Sequence, residues 1–186
     1  MVRARLFSRA VSCALVTLTA FAAAPSAHAD VLTVTAQGTI APTCAISATQ
    51  NFPASNLNAA GSAIATASVN CNQTFKINAT SANGAIKSSA AASAPYTNTL
   101  PYSLKAEVAL DTGADSTATC ASSTLMAGQS SCALSPANST GLTSNGQIAT
   151  NKTTTLTLSW VPPSSPTFLK PGSYSDSITL TIAVVP

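Results

Sequence analysis

The sequence predicts an all-β chain folded as a two-sheet sandwich. Three observations carry this. The dominant apolar period beyond the first thirty residues is two. The segments with that period are rich in Val, Ile, Thr and Phe, and Asn, Gly and Pro separate them. No stretch there holds a capped helical stripe, so helix content is expected to be low.

At the N-terminus, Arg3, Arg5 and Arg9 form a short basic region, and 10–24 is an uncharged run of apolar and small residues. Ala27-His28-Ala29 then places small residues at the positions a signal peptidase reads. Residues 1–29 are therefore expected to be a cleaved secretory signal, with the apolar run too short to span a bilayer. Leu32, Val34, Ala36, Gly38 and Ile40 alternate with Val31, Thr33, Thr35, Gln37 and Thr39, giving an opening segment, 30–41, with one apolar face. Pro42-Thr43-Cys44 breaks it before the main domain, 42–186.

Further strands are expected at 64–71, 75–81 and 100–110. Leu156-Thr-Leu158-Ser-Trp160 and Ile178-Thr-Leu180-Thr-Ile182-Ala-Val184 alternate most cleanly. The Ala/Ser/Thr/Gly-rich stretches 88–98, 112–131 and 135–152 read as loops. Trp160 and Tyr174 read as core or corner residues. Four Asn-x-Thr matches, at Asn72, Asn78, Asn138 and Asn151, are what chance gives in so Asn/Thr-rich a chain.

Charge narrows the function classes. Only 7% of residues are charged, far below the roughly 25% of ordinary soluble domains. Past residue 29 no Arg or His remains, and Lys76, Lys87, Lys105, Lys152 and Lys170 balance Asp30, Glu107, Asp111, Asp115 and Asp176. No basic patch is available to neutralise phosphates, which argues against nucleic acid. A Ser/Thr/Asn surface that repels its copies weakly suits a protein packed among them.

Cys13 belongs to the signal. Cys44, Cys71, Cys120 and Cys132 form an even set, read as two disulfides with three possible connectivities. The favoured one is Cys44–Cys71 with Cys120–Cys132. A zinc site lacks both the Cys-x-x-Cys spacing and histidines.

Catalytic patterns are few. Without His, Ser-His-Asp and Cys-His arrangements are missing, and no phosphate-cradling glycine loop occurs. Asp111-Thr-Gly113 looks like an aspartic-protease loop, but that chemistry needs two carboxylates sharing a proton. One motif could supply them only in a homodimer using Asp111 twice. As a turn ending a strand, the same residues need no such partner.

The opening segment has two readings: a first strand of its own sandwich, or a donor that completes another subunit's sheet by strand addition. Gly38 inside the apolar row favours the second, because a strand entering a formed groove needs a small residue where passage is tight.

Three features resemble the spore coat protein U domain family, which includes the pilins of archaic chaperone–usher fibres. They are Gly38-Thr-Ile-Ala-Pro-Thr-Cys44 paired with Val69-Asn-Cys71, Leu100-Pro-Tyr102-Ser-Leu104, and Pro171-Gly-Ser-Tyr174-Ser-Asp176-Ser-Ile-Thr-Leu-Thr-Ile182. The last is close to the family's Gly-x-Tyr-x-Asp ending. Phe52-Pro53 departs from the family's usual Phe-Gly, and the Cys120/Cys132 pair lies outside its core pattern.

The resemblance implies an incomplete immunoglobulin-like sandwich lacking its last strand. A periplasmic chaperone would lend that strand, and an outer-membrane usher would replace it with the next subunit's N-terminal segment. Leu32, Val34, Ala36, Gly38 and Ile40 would then be donor contacts, and Ile178, Leu180 and Ile182 would wall the acceptor groove. The product would be a cell-surface or extracellular pilus serving adhesion and biofilm formation, with no cofactor and no small-molecule substrate. The alternative is a secreted spore-coat or matrix protein with a closed sandwich.

Overall fold

The computed structural model describes residues 37–48, 51–53 and 56–185. The expected signal, and Leu32, Val34 and Ala36 of the opening segment, lie outside the described residues. Contacts divide the chain into two units, 1–38 and 39–186.

The second unit is built from antiparallel β-sheets. Its strands are β1 (Cys44–Ala48), β2 (Gly61–Cys71), β3 (Phe75–Ser81), β4 (Ile86–Lys87), β5 (Tyr96–Thr97), β6 (Thr99–Leu100), β7 (Tyr102–Val108), β8 (Ser116–Ala121), β9 (Leu142–Thr143), β10 (Ala149–Trp160), β11 (Phe168–Leu169) and β12 (Ile178–Val184). One sheet has the order β1-β2-β10-β7-β8, and another has the order β12-β3-β9. Two small ribbons, β4-β6 and the parallel β11-β5, accompany them. A single 3-10 turn, Ser122–Leu125, is the only helical element among the described residues.

Period-two alternation builds the core. In β7, Tyr102, Leu104, Ala106 and Val108 are buried while Ser103, Lys105 and Glu107 are not. In β10, Leu156, Leu158 and Trp160 face inward and Thr155, Thr157 and Ser159 outward. From the smaller sheet, Phe75, Ile77 and Ala79 of β3 meet them at 1% exposure or less. Register is strict across the centre of the large sheet: Leu158 stands opposite Ala63 on one side and Leu104 on the other.

Several expected boundaries move. The stretches read as loops at 112–131 and 135–152 contain β8, β9 and the first residues of β10, and 88–98 contains β5. β8 was hidden because its inward residues are small or polar: Ser116, Ala118 and Cys120. β10 begins early through an irregularity between Ala149 and Lys152, where Asn151 takes φ 51°. β2 also starts three residues before its expected position.

Both disulfides of the favoured connectivity are present, Cys44–Cys71 and Cys120–Cys132. The first ties edge strand β1 to β2. With 27 residues of separation it is worth about 3–4 kcal/mol on the loop-entropy model. The second staples the segment after β8. Asn78 is buried rather than displayed: its side-chain amide donates to the Ser135 carbonyl at 2.7 Å and the Asn138 carbonyl at 3.2 Å. Its match to a glycosylation pattern is therefore a core position.

Candidate functional site: an apolar groove between unpaired strand edges

β1 ends the large sheet and β12 ends the small one, so each pairs on one side only. β1 leaves β2 at the Ala48–Ala67 pair, so β2 continues toward Gly61 without β1 beside it. β12 is held on its other edge by β3, residue for residue from Ile178–Ser81 to Val184–Phe75. Between these two edges lies a groove of about 960 Å³.

Its lining is mostly apolar. Ala63 and Ala65 of β2 and Leu156, Leu158 and Trp160 of β10 come from the large sheet, and Ile46 from β1. Phe52 and Leu57 from the β1–β2 connection, Ile86, Leu169, Ile178 and Leu180 add to it, and the more polar stretch 170–177 forms another wall. The groove owes its depth to small side chains. The inward row of β2 runs Ala63, Ala65 and Ala67 before reaching Val69 and Cys71, so its first half fills little of the space above it. Gly61 serves the same end: a Cβ there would come within 2.8 Å of the Trp160 ring. The Trp160 indole N–H donates to the Ala59 carbonyl at 3.0 Å, which fixes the ring.

None of the seven β12 residues is fully buried. Ile178, Leu180, Ile182 and Val184 are half-buried, and Thr179, Thr181 and Ala183 are exposed. Ile178 and Leu180 line the groove. Ile182 packs against the core but is not among the lining residues. Of the opening segment, Gly38 has nothing within 4 Å of an added Cβ. Ile40 is 89% exposed, and residues 37–43 carry no secondary structure.

One wall of the groove is pinned by polar contacts. Asp176 Oδ2 accepts hydrogen bonds from the Tyr102 hydroxyl at 2.7 Å and the Ser81 hydroxyl at 2.6 Å. Its Oδ1 accepts from the Asn83 N–H at 3.0 Å and the Ser177 N–H at 2.8 Å. Tyr102 belongs to the large sheet and Ser81 to the small one, so one carboxylate ties both sheets to the root of β12. Burial, and then the Asp176 carboxylate beside it, push the Tyr102 phenol well above its ordinary value, so it stays a donor. The Tyr174 hydroxyl donates to the Lys170 carbonyl at 2.8 Å and the Thr97 carbonyl at 3.2 Å, which makes it a corner residue. Sequence reasoning picked out the last strand but missed this tether, the alanine floor and the wall formed by 51–53 and 56–58. The Ala63-x-Ala65-x-Ala67 spacing was the one signal that could have found the floor.

Asp111 lies away from the groove. Its Oδ1 accepts from the Thr150 N–H at 2.9 Å and its Oδ2 from the Thr150 hydroxyl at 2.7 Å, with Lys152 Nζ at 3.4 Å. The Thr150 backbone, then its hydroxyl, and then Lys152 hold the carboxyl below its ordinary value. Gly113 takes φ 78° in the turn beyond it. Among the described residues, no three His, Cys, Asp or Glu side chains gather where they could hold a metal ion.

Compared with protein-family models, curated proteins and solved structures, the chain finds no match.

Proposed function

We propose that the chain is a structural subunit of an archaic chaperone–usher pilus, joined to its neighbours by donor-strand exchange. The observation that carries the reading is the groove: an apolar trough between two sheet edges that each lack a partner. Such edges invite pairing with another strand. A strand laid there would bring backbone hydrogen bonds, and its alternate side chains would cover Leu156, Leu158, Ile178 and Leu180. The occupant we assign is residues 32–40 of another copy. Their alternation suits the trough, and Ile40, at 89% exposure, has no cover on its own domain.

On this reading a periplasmic chaperone fills the groove first. An outer-membrane usher then exchanges that strand for the next subunit's segment, and the polymer serves adhesion and biofilm formation at the cell surface. The work is structural, and Asp111 acts as a clasp between the β7–β8 turn and β10 rather than as an acid or base.

The test is deletion of residues 30–39 from the exported chain, produced with its chaperone. The shortened subunit should still bind the chaperone and should fail to polymerise. Fibres formed without the segment would sink the proposal. So would a full-length chain that is a stable monomer without any chaperone, which is what a closed-sandwich coat or matrix protein requires.

A further inference from the structure

Residues 37–43 are exposed, yet the last three are tied down. The Asn72 side chain grips them from both sides. Its Oδ1 accepts the Thr43 N–H at 2.8 Å, and its Nδ2–H donates to the Ala41 carbonyl at 3.0 Å. The Asn72 backbone N–H adds a third bond, to the Thr43 carbonyl at 3.1 Å. Between them Pro42 has its φ locked by the ring and confines Ala41 to extended geometry. Cys44 comes next in the chain. It is bonded to Cys71, the residue before Asn72, and opens β1. The chain is thus fixed to its own domain from Ala41 into β1.

This inference rests on the strand-exchange reading, under which Ile40 packs into a neighbouring copy. The two obligations then fall on consecutive residues. Ile40 belongs to the neighbour's groove, and Ala41 belongs to its own domain. We infer that Asn72 is a positioning residue for the junction between successive copies of this chain. It removes the spacer that 41–43 would otherwise form, so that each copy holds its neighbour at one angle. Released from the clip, three residues would span up to about 10 Å and could swivel. Orientation would then be lost from one subunit to the next.

The experiment compares fibres of the full exported chain with those of Asn72→Ala, using contour curvature in electron micrographs to obtain persistence length. Asn72→Ala should assemble with unchanged thermal stability and a persistence length at least threefold shorter. Asn72→Asp keeps the acceptor for Thr43 and loses the donor to Ala41, so it should fall between. Inserting Gly-Gly between Ile40 and Ala41 leaves Asn72 and the domain untouched. It should soften the fibre equally, whether or not Asn72→Ala folds. Unchanged stiffness in either the insertion or Asn72→Ala overturns the inference while leaving strand exchange standing. A wild-type chain that forms no fibre overturns both.

Discussion

The two ends of the sandwich differ in how far the same alternation is carried. At one end, Leu100, Leu104, Val108, Cys120, Leu125 and Leu134 reach 0–1% exposure, closed over by the Cys120–Cys132 segment. At the other, the seven residues of β12 alternate as cleanly as any strand, yet none is fully buried. The apolar content is similar, so hydrophobicity does not make the difference. Strand count does: β7 is paired on each side, whereas β12 is paired on one, because β1 of the large sheet lies close to it without pairing. Half-burial along this cleanly patterned strand thus goes with pairing on one edge only.

Truncation at matched positions gives the largest contrast. Leu104→Ala, at 0% exposure, should cost the subunit about 3 kcal/mol, because a sealed site cannot collapse around the cavity. Leu180→Ala, on the half-buried row, should cost about 1 kcal/mol, since much of that side chain is already in water. Urea unfolding of the two variants measures both. Equal losses would mean that the open end is as well packed as the closed one. Leu180→Ala should instead show its main effect on assembly.

Enlargement reverses the logic at a smaller scale. Ala79 is 0% exposed between β12 and the Leu134 segment, so Ala79→Leu should overpack the core and cost about 2 kcal/mol. Ala65 is also covered, at 3%, but it fronts the groove. Ala65→Leu should leave subunit stability within about 0.5 kcal/mol and abolish polymerisation, because the new side chain occupies the trough. Melting curves and a polymerisation assay on the same protein separate the two effects. Undiminished assembly by Ala65→Leu would show that the trough is not where copies join.

What the sequence made legible divides along the same line. The all-β class and the strands around Leu104, Leu158 and Leu180 were readable because large apolar residues mark their inward faces. β8 was not, because Ser116, Ala118 and Cys120 carry no such mark and the strand exists through its pairing with β7. Period made the last strand legible, but it was the family resemblance that put Ile178, Leu180 and Ile182 in a groove, and Ile182 is not among the lining residues. The alanine floor left only a faint mark, the Ala63-x-Ala65-x-Ala67 spacing, which is ordinary in so Ala-rich a chain until Trp160 is seen against Gly61. Asp176 is similar: one acid in a Ser-rich run, whose part in joining the sheets depends on Tyr102, 74 residues earlier. Long-range pairing decides both cases, and local pattern alone does not reveal it.

The smallest expected effect is electrostatic and belongs to the closed end's rim. Asp111 is only partly covered, yet two bonds from Thr150 and the nearby Lys152 keep its carboxyl below the ordinary range. A carboxyl with a lowered folded-state pKa contributes stability above its unfolded value, near 3.9, and loses it as pH falls through the folded value. Wild type should therefore melt slightly above Asp111→Asn at neutral pH, with the gap closing below about pH 4. Salt should narrow the Lys152 share of that gap, because an exposed pair is screened. The groove and its assembly should not respond to this substitution, since Asp111 touches neither β1 nor β12. A gap that persists unchanged to pH 2 would mean that the Thr150 bonds act through shape alone. A loss of polymerisation in Asp111→Asn would break the separation between the two ends.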